Sequence, residues 1–445
     1  MLKFLRWSAV TTAMLLVLAA CNGGGGSPSQ AAESAAESAA ASLDAAAICA
    51  ADEFGCVEIP AGEPIHFVYW GVLSTADATL GEDSKRGVEI AIEDKGGTLL
   101  GHDIELTTED GLCTPEGGAI AAQKLAADPT IAGLIGPNCT DEVLGGIEAI
   151  NDAGMTTVSP SATRAGLTVP DRLADKPGLA AFLRTAHSDY YQGRMVAQYL
   201  YNEKGARTLA TVHDGSGYAE ALAEVARTHF EELGGTIVAN GDQAIAKTDV
   251  DMSAVLTPIA AGAPDAIFFP VFIAGAGYLT DQAKDTPGLE DTILMSADGT
   301  FSPDYITAAG PAAVGQLISS PDTSKFAAGY QDFLAKHRAK YGEEPLSIFH
   351  AHAYDATVMV MAALEEVALT GADGTTFIPR TAYRNALYAT TDLQGLTGTH
   401  TCLADGDCGA LILAVYEVTA REVGPPVVWP PEAPIWAPDP SFYTE

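Results

Sequence analysis

The chain has 445 residues and a formal net charge of −35, with 58 acidic side chains against 23 basic ones. That balance excludes a nucleic-acid partner, whose phosphates need Lys and Arg to neutralise them, and a polybasic role at a membrane surface. The length exceeds one ordinary domain and suits two.

Lys3 and Arg6 open the chain, and an apolar run from Ala9 to Ala20 follows, interrupted only by Thr11 and Thr12. Residues 1–20 read as a secretory signal segment, too short to span a bilayer. Its ending, Leu18-Ala19-Ala20-Cys21, resembles the lipobox of bacterial lipoproteins. That resemblance implies a lipid on Cys21 and a place on the extracytoplasmic side of a cell membrane, in the periplasm or at the cell exterior. Residues 21–62 are rich in Gly, Ser, Ala and Glu and lack an apolar stripe, so they are expected to be a tether outside the fold. As a flexible coil, 22–63 would reach on the order of 35 Å.

The body alternates strands and helices. Short apolar runs at 65–72, 103–108, 131–135 and 155–159 are separated by helical patterns near 83–95, 115–127 and 141–153. A second series has strands at 207–212, 235–240, 265–271 and 292–296, with helices near 217–233, 250–262 and 275–285. This alternation predicts an α/β protein of two doubly wound, mostly parallel lobes. Longer helices are expected at 324–341 and 348–369, then an antiparallel pair at 397–403 and 409–418. The expected division is 63–185 with 320–395 as lobe 1, 186–319 with 396–422 as lobe 2, and 423–445 as a Pro/Trp-rich strap.

Seven cysteines less a lipidated Cys21 leave six, an even number that suits an oxidising compartment. Proximity along the chain favours Cys49–Cys56, Cys113–Cys139 and Cys402–Cys408 among the fifteen pairings that six cysteines allow.

In open parallel sheets, ligands bind beyond the carboxyl ends of the strands. Five such ends carry polar or mixed loops: 136–140, 160–163, 213–218, 272–275 and 297–299. Their hydroxyls, free amides, one aromatic and one carboxylate suit a small zwitterion.

Gly71-Val-Leu-Ser74, Cys113 with Gly136-x-x-Cys-Thr140, Ser159-Pro-Ser-Ala-Thr163, Phe182-Leu-Arg-Thr185 leading to Asp189 and Gln192-Gly193, His213-Asp-x-x-x-Tyr218 and Ala297-Asp-Gly299 follow in order. As an ordered set over 64–422 they resemble the branched-chain amino-acid receptors of ABC importers, within the type I periplasmic-binding fold. The resemblance implies two lobes joined by a multi-strand hinge. It also implies that Thr140, Thr163 and the backbone at Ser161, with Ala162 in the same loop, hold a ligand α-carboxylate. Asp298 would take the α-ammonium, being one methylene shorter than the family's glutamate, and Tyr218 would close over the ligand from the second lobe. Leu80 and Phe272 would line an apolar side-chain pocket.

The expected function is a monomeric, membrane-anchored receptor that binds a small apolar L-amino acid and delivers it to an ABC permease. An amide, urea or aromatic-acid receptor of the same fold, or a sensory module for a membrane receptor, remain the alternatives. No cofactor or metal is expected. His350-Ala-His352 with Asp355 puts its two histidines two apart on a helix, where they do not face one another. Asp405-Gly-Asp407 lacks the ligand series of a calcium loop. An enzyme is disfavoured because no nucleophile elbow, P-loop or dinucleotide fingerprint occurs.

Overall fold

The computed structural model describes residues 45–424 and 426–444. The signal segment, Cys21 and the tether as far as residue 44 lie outside the described residues. Two six-stranded sheets organise the body. The first runs in the order Thr98–Leu99, His102–Asp110, Ile65–Gly71, Ile131–Ile135, Thr157–Ser159 and Phe182–Arg184. The second runs Leu413–Glu417, Leu317–Pro321, Ile293–Ser296, Ala266–Phe268, Thr208–His213 and Thr236–Ala244. Each sheet is parallel except for one edge strand, Thr98–Leu99 in the first and Leu413–Glu417 in the second.

The central strands are apolar on both faces because helices cover both faces. Ile131–Ile135 is buried along its whole length, and Phe67, Tyr69 and Trp70 are fully buried in Ile65–Gly71. Continuous apolar runs of this kind belong to parallel sheets. Close helix packing depends on missing side chains. A Cβ at Gly81, in helix Ala78–Asp94, would lie 1.6 Å from the Val72 carbonyl oxygen, and one at Gly87 would lie 2.0 Å from that of His350. Helix Ala78–Asp94 thereby sits tight against both the first strand's loop and helix His350–Val367.

Three sequence expectations need correction. The tether does not extend to residue 62: residues 45–51 are helical, and Cys56–Ile59 pairs with Thr376–Pro379. Val57 and Ile59 bury in the first lobe's core, Asp52 accepts from Thr381 (2.9 and 2.8 Å), and the Cys49–Cys56 bond closes the turn. Those two apolar residues, alternating along a short strand, outweigh the low complexity upstream.

The pairing of 397–403 with 409–418 does not occur. Thr399–His400 pairs with Leu393–Gln394, while Leu413–Glu417 completes the second sheet against Leu317–Pro321. Local turn chemistry at 404–407 gave no sign of the distant, fully buried partner. The third correction follows from the second. Strand Leu317–Pro321 carries the second sheet past residue 319, and Cys408 and Leu396 pack with first-lobe residues rather than with lobe 2.

The helix expected at 324–341 begins only at Gly329, after a short turn at Thr323–Lys325. The C-terminal strap is tied to the second lobe: Val415 N–H donates to the Trp436 carbonyl (2.8 Å), and Phe442 is buried. All three disulfides form as expected.

Candidate functional site

The strand-end loops of both sheets converge on one small cavity of about 20 Å³. Leu80, Thr140, Ser161, Tyr218, Phe272 and Asp298 wall it, and so do Asn138, Cys139, Gly299 and Phe349. Ala162 and Thr163 are buried in the same loop as Ser161 but are not on that wall. About 20 Å³ is close to the space for a single water. An amino acid can therefore enter only when the lobes part.

The lobes meet through direct contacts around this cavity. Gly217 N–H donates to Asp141 Oδ1 (2.8 Å), Arg164 Nη1 donates to the Gly217 carbonyl (2.9 Å), and Lys247 Nζ donates to the Cys113 carbonyl (3.3 Å). A Cβ at Gly217 would lie 2.7 Å from Asp141 Oδ1, the end of a side chain that would have to shift to admit it.

On the first lobe, Thr140 opens helix Thr140–Asp152, whose start is fixed by Glu142. That carboxylate accepts from Cys139 N–H and Cys113 N–H, both at 3.0 Å, and burial pushes it up to about 7. The Cys113–Cys139 bond ties the same two residues covalently. The Thr140 hydroxyl is left buried without a partner, and so is that of Thr163. An unmade bond at a buried hydroxyl costs about 1–3 kcal/mol, which a ligand acceptor can return.

Ser161 is used differently. Its hydroxyl donates to the Asn138 carbonyl (2.9 Å) and accepts from Asn138 Nδ2 (3.0 Å), so it holds the loop. Its amide lies 3.3 Å from Ser159 Oγ, which also takes the Ala162 amide at 3.0 Å. The fully buried Arg184 clamps the loop from the other side. It donates to the carbonyls of Ala162, Thr163 and Arg164 at 3.2, 2.8 and 3.0 Å, and pairs with Asp407 at 2.9 Å. Asp407 is thus an anchor for the loop.

On the second lobe, Asp298 Oδ1 accepts from Tyr218 Oη (2.6 Å) and Gln192 Nε2 (3.2 Å). Its other oxygen has His187 Nε2 at 3.9 Å. Burial lowers His187, keeping it neutral, and burial followed by the charge of Asp298 raises Tyr218 well above the usual phenol range. His187 Nε2 lies 2.9 Å from Gln192 Oε1, which fits a proton on Nε2. Tyr218 and Phe272 rings pack with centroids 5.4 Å apart, giving the apolar side of the cavity.

Asp189, at the start of helix Asp189–Gln198, is fully buried, and its carboxylate faces the Thr163 hydroxyl without closing a hydrogen bond of regular geometry. Burial, then the charge of Asp298, pushes it up to about 8 against the pull of Thr163, Arg184 and Arg164.

Sequence reasoning placed six of its eight ligand candidates around the cavity and put Ala162 and Thr163 just off it. It did not single out Asn138, Phe349 or the His187–Gln192 pair. Asp189 and Gln192 stood in a quoted motif, and the polar Asp before an apolar helix was the available signal. The histidines of 350–352 turn apart: His350 lies beside Asp83 (3.1 Å) and Tyr330 (2.9 Å), while Asp355 accepts from His400 (2.9 Å). Among the described residues no group of three or more His, Cys, Asp or Glu is arranged to hold a metal. A larger cavity of about 380 Å³ lies between helix Gly329–Tyr341 and the strap, and two of its charged groups, Arg338 and Glu344, pair with one another (2.5 Å).

Comparison with known proteins bears on the family and the fold. A family model described as periplasmic binding protein matches residues 64–425. The "Leu/Ile/Val-binding protein homolog 3" of Brucella melitensis is 24% identical over 342 residues, 76% of this chain and 87% of that protein. The "Amino acid binding protein" of Pseudomonas aeruginosa is 27% identical over 237 residues, 53% of this chain, and the match spans only 60% of that protein. The isoleucine-bound branched-chain amino acid transporter substrate binding protein LivJ of Streptococcus pneumoniae shares the fold. It superposes with a TM-score of 0.69 at 24% identity, over 80% of this chain and 97% of that one. Among the described residues no helix is long and apolar enough to cross a membrane. With the match running through both lobes and the cleft between them, the chain belongs to the periplasmic binding protein family, whose members are substrate-binding receptors and not enzymes.

Proposed function

We propose that this receptor binds an apolar L-amino acid, of the leucine, isoleucine or valine kind, and hands it to an ABC permease from a lipid anchor on Cys21. The observation that carries the reading is the polarity of the cleft. Unpartnered hydroxyl donors lie on the first lobe, a buried carboxylate lies on the second, and the Tyr218 and Phe272 rings line the same cavity. That arrangement complements a zwitterion with an apolar substituent.

Binding and closure are coupled by the same contacts. A ligand shifts the equilibrium toward the closed form only by binding it better, and here Thr140 and Tyr218 reach it from different lobes. The test is a thermal-shift screen of the protein against amino acids, amides, urea and aromatic acids. A ligand at 100 times its dissociation constant stabilises by about 2.7 kcal/mol. A rise with leucine, isoleucine or valine is expected; a rise only with an amide, or with an acid lacking the ammonium, overturns the amino-acid reading. The anchor is checked separately by fractionation: Cys21→Ser should leave the membrane pellet, and an acylated, membrane-bound variant refutes the lipid.

A further inference from the structure

We propose that Trp429, in the C-terminal strap, is a positioning residue for Asp298: its ring backs the turn that presents this carboxylate to the ligand's ammonium. This deepens the amino-acid reading above and rests on it.

A binding group works only where packed supports hold it to within about 0.5 Å. Asp298 opens the short turn Asp298–Thr300, just past strand Ile293–Ser296. The turn is closed by Phe301 N–H on the Asp298 carbonyl (2.9 Å) and by Thr300 N–H on that of Ala297 (3.0 Å). A Cβ at Gly299 would already be in ordinary contact with Phe272 and Tyr218, at 3.4 and 3.5 Å. Those two rings therefore limit movement of the turn toward the ligand cavity.

Movement the other way is limited by Phe301, whose side chain is buried. Two aromatic neighbours meet its ring edge-on: Tyr416, with centroids 5.0 Å apart, and Trp429, at 4.7 Å. Aromatic pairs of this kind fix geometry as well as burying area. Tyr416 belongs to strand Leu413–Glu417, and its hydroxyl donates to the Pro321 carbonyl (3.0 Å). Trp429 stands outside the sheet, past the residues 64–425 that match the family. The strap is fastened on both sides of it. Arg421 Nη2 donates to the Pro430 carbonyl (3.0 Å), and Ile435 N–H donates to the Val415 carbonyl (2.8 Å).

Phe301 and Trp429 both line the cavity of about 380 Å³ under the strap. Truncating Trp429 would add its volume to that cavity and leave Phe301 room to swing into it. The turn would then lose its backing on that side. Trp429 is not on the wall of the ligand cavity, and Thr140 and Thr163 lie on the other lobe. Its loss should therefore be felt through Asp298 and not through the carboxylate side of the site.

Two measurements on the whole protein test this. In the first, L-leucine is titrated calorimetrically. Trp429→Ala should weaken binding by about tenfold and Trp429→Phe, which keeps an aromatic edge, by no more than about threefold. In an Asp298→Asn background the effect of Trp429→Ala should shrink below about twofold, whereas in a Thr163→Ala background it should stay near tenfold. An unchanged affinity in Trp429→Ala, or a tenfold loss that persists in Asp298→Asn, overturns the inference and leaves the amino-acid reading intact. The second needs no ligand: a crystal structure of the empty Trp429→Ala receptor should show Phe301 swung toward the vacated space and Asp298 displaced by more than about 0.5 Å. An Asp298 left in place overturns the inference whatever binds. If Trp429→Ala does not fold, Trp429→Leu replaces it in both measurements. No response to leucine, isoleucine or valine overturns the amino-acid reading, and the crystal structure then decides whether Trp429 holds the turn.

Discussion

The two lobes prepare for a ligand in opposite ways. On the first, Thr140 and Thr163 keep buried hydroxyls unpartnered. On the second, Asp298 is already bonded to Tyr218 and Gln192, and Gln192 in turn to Ser319 (3.1 Å). A donor left unmatched loses nothing further when a ligand lands on it, whereas a satisfied acceptor must share or exchange a partner. On the proposed reading the first lobe is the landing side, and the second contributes its interaction only as the lobes come together.

The largest test of that asymmetry is Asp298→Ala. It removes the carboxylate that the second lobe places on the cavity wall and should weaken amino-acid binding by roughly 100-fold or more, measured by calorimetry. A small effect would mean that the ammonium is held elsewhere.

Next comes the cost of the buried acid. Asp189 lies up at about 8, against an ordinary 3.8, so between those values the folded chain holds a proton that the unfolded chain has released. Stability must then fall as pH rises through that window, the loss being complete above the folded value. Glu142, pushed up to about 7, adds the same sign. Melting curves of the empty receptor should show this decline. Asp189→Asn should flatten its upper end and stabilise the protein near neutrality by on the order of 1–4 kcal/mol. An unchanged slope would mean that Asp189 ionises normally.

The landing side gives smaller effects. Thr140→Ala and Thr163→Ala should each weaken binding by about tenfold, the worth of one hydrogen bond to a charged group. If Thr163→Ala leaves the isotherm unchanged while Thr140→Ala does not, the carboxylate sits only at the helix start. Ser161→Ala should be the mildest, no more than about threefold in affinity, because its hydroxyl is already spent on Asn138.

The fold was legible because its central strands are short, apolar and regularly spaced, and because strand-end loops announce themselves with Gly136-Pro137 and Ser159-Pro160 turns. The loop residues of the site came with them. What stayed hidden depends on partners far away in the chain. Leu413–Glu417 looks like half of a local hairpin until Leu317–Pro321 is seen beside it. Phe349 reaches the cavity from the turn before helix His350–Val367, and no local pattern marks it. Asn138 matters because Tyr69, Ser84 and Ser161 all converge on it, a convergence that only three-dimensional placement creates. Cys56–Ile59 was missed because four residues are too few to outvote the low-complexity stretch ahead of them.

Gly217 sits where the second lobe's first long helix touches the first lobe, with Asp141, Leu144 and Arg164 all within 3.1 Å of the Cβ it lacks. A side chain there would press on three side-chain ends, Asp141 Oδ1, Leu144 Cδ1 and Arg164 Nη1, which would have to draw back. The Gly217–Asp141 and Arg164–Gly217 bonds between the lobes would then loosen while the strand-end loops stay as they are. The latch between the halves is thus adjustable by the volume of a single methyl group.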